Sequence, residues 1–249
     1  MFLDLHKMHK FKGIIFDLDN TICDTISAIH KSIKVCYKYL RNYYPYISYE
    51  KFINIEEKIF FDLTIKKKLP VYSFRAIYWH EIFRELELDL NAIHIKNLIS
   101  LYTDQLSKNV ELFDDIEQML IELKKREIKI VILSNGDFLT KAAMIEYLNI
   151  YKYIDHIIAS DLIQQDKPNK KAFIYTLEIV GLKENEVAMV GDERVNDIEG
   201  AINANIFAFY ALWPEKNKNA DLSQFEIYNK ETKKVEFLKQ PLDLLLYIN

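Results

Sequence analysis

Two aspartates near the start of the chain, Asp17 and Asp19, have the type and spacing for nucleophilic and acid–base chemistry. They follow a short apolar run, and residues two apart in an extended segment point to the same side. One carboxylate can attack a phosphorus atom, while the other protonates the leaving oxygen and then deprotonates the attacking water. We therefore predict that Asp17 and Asp19 form a catalytic pair for phosphoryl chemistry.

A second pair of acids, Asp192 and Asp197, follows another apolar run. A carboxylate that attacks a phosphate meets strong charge repulsion, which a hard cation with oxygen ligands removes. Mg2+ takes only a few carboxylates and completes its octahedral shell with water and substrate phosphate. Asp192 is the predicted further ligand of such an ion, and Asp197 is predicted to hold a metal-bound water without touching the ion.

Four further residues could bind the phosphoryl group. Lys167 precedes Pro168, which disfavours helix at residue 167 and suits the first position of a helix, so we expect Lys167 in a loop at a helix start. There it could neutralise both the phosphate and the nucleophile. Ser134, with the backbone amides of Asn135 and Gly136, offers donors for the phosphoryl oxygens, whose charge is spread in the transition state.

The sequence also predicts the elements that bring these residues together. Short apolar runs bounded by polar residues indicate buried parallel strands. Such runs occur at 14–16, 130–133, 157–159, 187–191 and 206–212. Helical patterns lie between them, at about 116–123, 137–149, 168–180 and 196–205. This βα alternation predicts parallel strands joined by right-handed crossovers, with the acids sharing one site at the carboxyl ends of the strands.

The region between the first strand and the later alternation has a different pattern. Residues 23–109 show helical spacing with few β-branched runs, so they are predicted to form an all-helical insert. The predicted division is a discontinuous core of residues 1–22 and 110–249, with a helical cap of residues 23–109. In the tail, 221–239 could hold a hairpin and 241–248 a closing helix.

Composition argues against several classes of partner. The 249 residues carry 33 basic and 37 acidic side chains, a formal charge of -4, so no basic excess attracts nucleic acid or anionic lipid. Residues 1–10 contain no apolar signal region and the stretch 201–213 is broken by asparagines, so secretion and membrane spanning are not expected. Cys23 and Cys36 suit neither a disulfide framework nor a CxxC site, which favours a reducing cytoplasm.

These segments resemble the four ordered motifs of the haloacid dehalogenase superfamily. The matching residues are Ile14 to Thr21, Leu133 to Gly136, Lys167-Pro168, and Val190 to Asp197 followed by Gly200-Ala201. The resemblance runs from about Phe11 to Ala208, and a helical insert directly after the first motif is similar to the subgroup with a helical cap. One departure is Asn205, which stands where relatives usually carry glycine.

The resemblance implies an α/β fold, with a Rossmann-like parallel sheet flanked by helices and an inserted all-helical cap, and it implies Mg2+ as cofactor. It implies Asp17 as the nucleophile and Asp19 as the general acid/base. The implied metal ligands are the Asp17 carboxylate, the Asp19 backbone carbonyl and Asp192. Ser134 and Lys167 are implied to hold the phosphoryl group.

Several functions remain open within this resemblance. Dehalogenases of the superfamily lack the second aspartate of the first motif, so Asp19 favours phosphoryl transfer. The motif surroundings resemble phosphatases of small metabolites, acting on a nucleoside monophosphate, phosphoglycolate or a sugar phosphate, as a monomer or homodimer. A phosphomutase of the β-phosphoglucomutase type is the alternative, and a catalytically silent binding protein is a third. In the cap, Arg75, Trp79 and Arg84 are expected to affect substrate preference.

Overall fold

The computed structural model describes residues 10–66, 69–71, 75–219 and 234–248. Its strands are β1 (Gly13–Phe16), β2 (Lys129–Ser134), β3 (His156–Ala159), β4 (Val187–Gly191), β5 (Phe207–Ala211) and β6 (Val235–Leu238). They form one sheet in the order β3-β2-β1-β4-β5-β6, and every neighbouring pair is parallel. The prediction of an α/β fold with a parallel sheet is confirmed.

The apolar runs form central strands because both faces of the sheet are covered. Ile14 and Phe16 pack into the core on one face, whereas Ile15 packs into the core on the other. Strand β1 pairs with β2 and β4 so that Phe16 lies opposite Ile132 and Val190. The residues that follow these strands therefore lie side by side at one edge of the sheet.

Helices cover the sheet and supply the crossovers. The α-helices of the described residues are α1 (Thr25–Tyr43), α2 (Tyr49–Phe61), α3 (Arg75–Glu85), α4 (Ala92–Asn109), α5 (Ile116–Lys125), α6 (Phe138–Tyr147), α7 (Ser160–Ile163), α8 (Lys170–Val180) and α9 (Gly200–Asn203). Two π-helical turns are also present, Asp62–Lys66 and Arg194–Glu199. Polar side chains begin several helices; Asp24, for example, accepts from the backbone N–H of Ser27 at 3.0 Å and so caps α1.

Helices α1 to α4 lie between β1 and α5 and have a hydrophobic core of their own. Trp79 is completely buried in it. The chain enters and leaves this helical segment at neighbouring positions, because Cys23 and Leu112 form an antiparallel bridge. The backbone N–H of Asp24 also donates to the Glu111 carbonyl at 2.9 Å. The helices lie where the sequence predicts them, and the division into a core domain and a cap domain stays a prediction.

Two helix boundaries differ from the sequence-based expectation. The helix expected from about Pro168 begins at Lys170, because Asn169 caps it by accepting from the Lys171 backbone N–H at 3.0 Å. Pro168 therefore precedes the cap and does not open the helix. The helix expected at 196–205 is a π-helical turn followed by the short helix α9.

The C-terminal part extends the sheet. Most of the hairpin predicted at 221–239 lies outside the described residues, and its described end forms β6, which pairs parallel with β5. The predicted closing helix at 241–248 is a 3-10 helix, Pro241–Leu246. None of the helices in the described ranges is long and apolar enough to cross a membrane.

Asn205 occupies a turn between α9 and β5 that requires an unusual backbone conformation. Its φ is 66°, in the left-handed region where glycine is the usual residue and asparagine is the best tolerated substitute. The Asn205 backbone N–H donates to the Ile202 carbonyl at 2.8 Å, and Lys234 Nζ donates to the Asn205 carbonyl at 3.0 Å. Asparagine thus maintains the turn at a position where glycine was expected.

We expect Asn205→Gly to change the free energy of unfolding by no more than about 0.5 kcal/mol, since glycine adopts this conformation without steric cost. Asn205→Val should lower it by about 1–2 kcal/mol, because its Cβ crowds the following carbonyl oxygen. Urea unfolding followed by circular dichroism measures both variants. A valine variant as stable as the glycine variant would contradict a left-handed conformation at this turn.

Candidate active site

Three aspartates meet at the carboxyl edge of the sheet. Asp17 follows β1, Asp192 follows β4, and Asp197 lies in the π-helical turn after β4. One carboxylate oxygen from each lies within 4.8 Å of the other two, and all three side chains are buried. The structure therefore brings three predicted site residues together in one group of oxygens, which we call the acid cluster.

Asp197 lies against the end of β4. Its Oδ2 accepts from the backbone N–H of Glu193 at 2.9 Å. A Cβ built on Gly191 would overlap the Asp197 carboxyl group, so only glycine allows this close approach. The sequence predicted that Asp197 holds a metal-bound water without touching the ion. The structure places an Asp197 oxygen within the acid cluster itself.

Lys167 is buried between two members of the acid cluster. Its Nζ donates to Asp17 Oδ1 at 2.6 Å and to Asp197 Oδ1 at 2.7 Å, and only 3% of the residue is exposed. The Asn135 side chain accepts from the Lys167 backbone N–H at 2.7 Å and donates to the Lys167 carbonyl at 3.1 Å. The side chain of Asn135 therefore fixes the loop that carries the lysine.

The loop after β2 uses some of its donors for its own structure. The backbone N–H of Gly136 donates to Ser160 Oγ at 2.9 Å, so this expected phosphate donor already has an acceptor. Ser134 Oγ donates to Asp19 Oδ2 at 2.9 Å. The structure thus links Ser134 to the second aspartate of the first motif, a contact that the sequence did not predict.

Asp19 has a set of partners separate from those of Asp17. Its Oδ2 accepts from Lys141 Nζ at 2.5 Å as well as from Ser134, and its Oδ1 accepts from Thr25 Oγ1 at 3.0 Å. Burial acts to raise the pKa of Asp19, but the Lys141 ammonium and these hydrogen bonds outweigh it and hold the pKa below its ordinary value. The resting Asp19 carboxylate is therefore ionised and firmly oriented.

Two lysines near the acids were not predicted from the sequence. Lys141 is only 7% exposed and lies on the buried face of α6 with Thr140 and Met144. A lysine on such a face is a signal in the sequence, because an ammonium is rarely buried without a partner. Lys216 Nζ lies 2.6 Å from Asp192 Oδ2, but Lys216 is in a short 3-10 helix, Glu215–Asn217, whose sequence has no pattern that would reveal it.

Burial raises the pKa values within the acid cluster. It raises the pKa of Asp17 to about 7, although the Lys167 ammonium lowers it, and repulsion from Asp197 adds to the increase. Burial likewise raises the pKa of Asp192 to about 7 and moves the pKa of Asp197 above its usual range. Burial is the main cause of these increases, and repulsion between the neighbouring carboxylates adds to it, so the ionised forms of these acids are disfavoured here.

The donor set fits a hard divalent cation. Its ligand atoms are carboxylate oxygens, the type that Mg2+ prefers. Asp192 Oδ2 is buried and receives no directed hydrogen bond from the described residues, although Lys216 Nζ lies 2.6 Å away. Asp192 Oδ1 accepts from Thr21 Oγ1 at 3.0 Å, which fixes the orientation of the carboxylate. An added positive charge would favour the ionised forms of these buried acids, whose pKa values burial raises.

A cavity of about 860 Å3 opens between this edge of the sheet and the helical segment. On the sheet side its wall contains Asp17, Asp19, Asn135, Lys141, Lys167 and Asp197. On the helical side its wall contains, among others, His30, Glu56, Arg75, Tyr78, Trp79 and Tyr102. The cavity can therefore hold a molecule that contacts both the acids and the helices.

Two of the three residues expected to affect substrate preference line this cavity. They are Arg75 and Trp79. Arg84 does not line it; its guanidinium is exposed and forms an ion pair with Glu81 at 2.5 Å. The structure therefore gives Arg84 no place in the cavity wall, and the expectation that it affects substrate preference stays a prediction.

Residues 14–211 match the family described as haloacid dehalogenase-like hydrolase. Among curated proteins, human N-acylneuraminate-9-phosphatase is 26% identical over 213 residues, which cover 84% of this chain and 85% of that protein. A phosphoglycolate phosphatase from Aquifex aeolicus is 26% identical over 216 residues, covering 86% of this chain and 91% of that protein.

A solved structure has a similar fold. It is the 2-haloacid dehalogenase from Pseudomonas syringae pv. Tomato DC3000, which superposes with a TM-score of 0.71 and is 19% identical in sequence. The superposition covers 94% of this chain and 96% of the dehalogenase chain. The family match spans most of the chain and includes all four motif segments. The chain therefore belongs to the haloacid dehalogenase-like hydrolase family.

Proposed function

We propose that this enzyme is a Mg2+-dependent phosphatase that cleaves a small phosphomonoester through an aspartyl-phosphate intermediate. The proposed substrates are a nucleoside monophosphate, phosphoglycolate or a sugar phosphate. Relatives named as phosphatases support the phosphatase chemistry. The observation that carries the proposal is the buried pairing of Asp17 with Lys167 in the acid cluster, beside a separately oriented Asp19.

Asp17 is the proposed nucleophile. One of its carboxylate oxygens forms a bond to phosphorus while the bond from phosphorus to the leaving oxygen breaks. Asp19, ionised at rest, takes up a proton from solvent when the substrate is bound and passes it to that oxygen. Lys167 keeps a positive charge next to Asp17, where it can stabilise both the carboxylate and the phosphoryl oxygens. Water then attacks phosphorus, its proton goes to Asp19, and phosphate leaves with Asp17 restored.

The surroundings of Asp19 support its proposed part in the second step. Its pKa lies below the ordinary value, so the carboxylate is ionised and can accept a proton from the attacking water. Lys141, Ser134 and Thr25 orient it through three hydrogen bonds. For a candidate acid or base, suitable geometry is the first requirement and a suitable pKa the second.

Mg2+ would be held by the Asp17 carboxylate, the Asp19 backbone carbonyl and Asp192, with Asp197 close enough to hold a bound water. When bound, the ion neutralises negative charge on the phosphate and the acids, so that a carboxylate can approach phosphorus. Asp192 is oriented for this role by the hydrogen bond from Thr21.

We propose a reducing cytoplasm as the location, and a small phosphorylated molecule as the partner in place of a nucleic acid polymer or a membrane. Cys23 and Cys36 are both free and buried, which supports a compartment where thiols stay reduced. A formal charge of -4 supports the absence of a polyanionic partner. The proposed assembly is a monomer or a homodimer.

We expect Asp17→Asn to lower kcat for phosphate release by at least roughly a thousandfold, the scale seen when a reacting group is removed. The amide has the same shape but cannot form the phosphoaspartate. Phosphate release from a panel of nucleoside monophosphates, sugar phosphates and phosphoglycolate, with and without Mg2+, measures the effect. An unchanged circular dichroism spectrum shows that the fold is kept. Near-normal activity in a preparation free of the original protein would refute the nucleophile assignment.

We expect Asp192→Asn to raise the Mg2+ concentration required for half-maximal activity by at least about tenfold, since it removes a proposed ligand charge. Calorimetric titration of Mg2+ into the protein gives an independent value for the binding. Glu193→Gln is the matched control, because Glu193 is the next acid along the chain but is not part of the acid cluster. If both variants titrate like the original protein, Asp192 does not bind the ion.

We expect Lys141→Met to lower kcat for a small aryl phosphate by roughly tenfold or more, because Asp19 loses one of its three hydrogen-bond donors. Lys171→Met, at an exposed position of α8, is the control and should leave kcat unchanged. Circular dichroism checks that both variants are folded. Activity of the folded Lys141 variant within twofold of the original would show that this lysine does not orient Asp19.

A further inference from the structure

The cavity wall contains a second polar region, on its helical side. One stripe of α2 faces the cavity, because Tyr49, Ile53, Glu56 and Phe60 recur at helical spacing and all line it. Another stripe of the same helix, which includes Phe52, packs into the core of the helical segment. Glu56 therefore places a carboxylate among apolar side chains in the wall of the cavity.

Glu56 is partly buried and held in one orientation. The Tyr78 hydroxyl donates to its Oε1, whereas its Oε2 receives no hydrogen bond from the described residues. The indole N–H of Trp79, in the same wall, is buried and has no acceptor in the described part of the chain. Buried polar groups in proteins are normally hydrogen-bonded. Glu56 thus offers a hydrogen-bond acceptor to a bound molecule, whereas Trp79 is fully buried.

The negative charge of the cavity wall disfavours a bound molecule that carries another anionic group besides its phosphate. Each cation of the described wall is already in an ion pair with an aspartate: Arg75 with Asp137, Lys141 with Asp19, and Lys167 with Asp17 and Asp197. Carboxylates in the wall outnumber these cations by six to three. A carboxylate far from the phosphate would therefore meet repulsion, with no unpaired cation in the described wall to offset it.

Arg75 is the wall cation best suited to bind a substrate carboxylate, but its guanidinium already has other partners. Its guanidinium lies 3.2 Å from Asp137, donates to Thr103 Oγ1 at 3.3 Å, and stacks over the Tyr102 ring at 4.9 Å from the centroid. A substrate carboxylate would therefore have to share the guanidinium with Asp137, whose charge it would meet at close range. The remaining wall includes Ile29 and other aliphatic side chains, which suit a carbon skeleton.

We propose that the substrate is a phosphorylated polyol or sugar whose end remote from the phosphate is hydroxylated and uncharged, and that Glu56, positioned by Tyr78, accepts a hydrogen bond from that end. This inference rests on the proposed phosphatase function and narrows its substrates. It excludes phosphoglycolate, whose leaving group carries a carboxylate. It also makes Glu56 a specificity-determining residue for molecules that carry a terminal hydroxyl group.

A matched pair of ligands tests the proposal directly. Sorbitol 6-phosphate and 6-phosphogluconate have the same carbon chain and differ at its far end, where one has a hydroxymethyl group and the other a carboxylate. We expect the Mg2+-loaded Asp17→Asn protein, in which turnover is blocked, to bind the sorbitol ester at least about tenfold more tightly in calorimetry, the scale of one hydrogen bond to a charged group. Equal affinities, or a preference for the gluconate, would overturn the proposal.

The role of Glu56 is tested by Glu56→Gln in the same background. Glutamine can still accept from Tyr78 but lacks the charge, so the affinity ratio of the two ligands should fall by at least threefold. Glu50→Gln, an exposed position on the same helix and outside the cavity wall, should leave the ratio unchanged. A ratio that is the same in all three proteins would remove Glu56 from substrate recognition.

Failure of this inference can be told apart from failure of the proposed function. Turnover of a small aryl phosphate by the original protein with Mg2+ tests the phosphatase chemistry alone, since that compound has no hydroxylated far end. Turnover of the aryl ester together with equal binding of the two six-carbon ligands overturns only the substrate class. Selective binding of the sorbitol ester without turnover of any ester would support the proposed ligand preference of the cavity and contradict the proposed phosphatase activity.

Discussion

The buried ion pairs of Lys167 with Asp17 and Asp197 are the interaction on which the rest of the site depends. Carboxylates packed this closely are costly to bury unless a cation compensates their charge. The neighbouring structure serves this arrangement: Asn135 holds the lysine backbone, and the missing side chain of Gly191 lets Asp197 approach. Both features keep the Lys167 ammonium group in contact with the buried carboxylates.

The topology of the sheet explains why this point lies where it does. From β1 the chain builds outward through β2 and β3 on one side, and later through β4, β5 and β6 on the other. Successive strands are thus added first on one side of β1 and then, from β4 onward, on its other side. Such a reversal of strand order opens a crevice at the carboxyl ends of the strands. Asp17 and Asp192 follow the two strands that flank it. A central, doubly covered sheet fixes their separation more firmly than loops alone could.

Much of the fold and part of the site could be predicted because the signals are local. Apolar runs mark the strands, and the polar residues that follow them mark the acid cluster. The contact of Lys141 with Asp19 could not be predicted, because the two residues are 122 positions apart and nothing in either segment specifies the other. The same holds for Asn135, whose side chain interacts with a different loop. The start of α8 was misplaced because capping by Asn169 outweighs the preference of Pro168 for a first helical position.

The bridge between Cys23 and Leu112 has a consequence for how such a protein can diversify. Because the helical segment leaves and rejoins the sheet at adjacent points, the sheet bears only the entropy of closing one loop, which grows slowly with the number of residues inserted. Helices there can be lengthened, shortened or exchanged while the strand ends keep their spacing. Under the proposed function, reactivity and substrate selectivity would lie in two regions of this chain that can change at different rates.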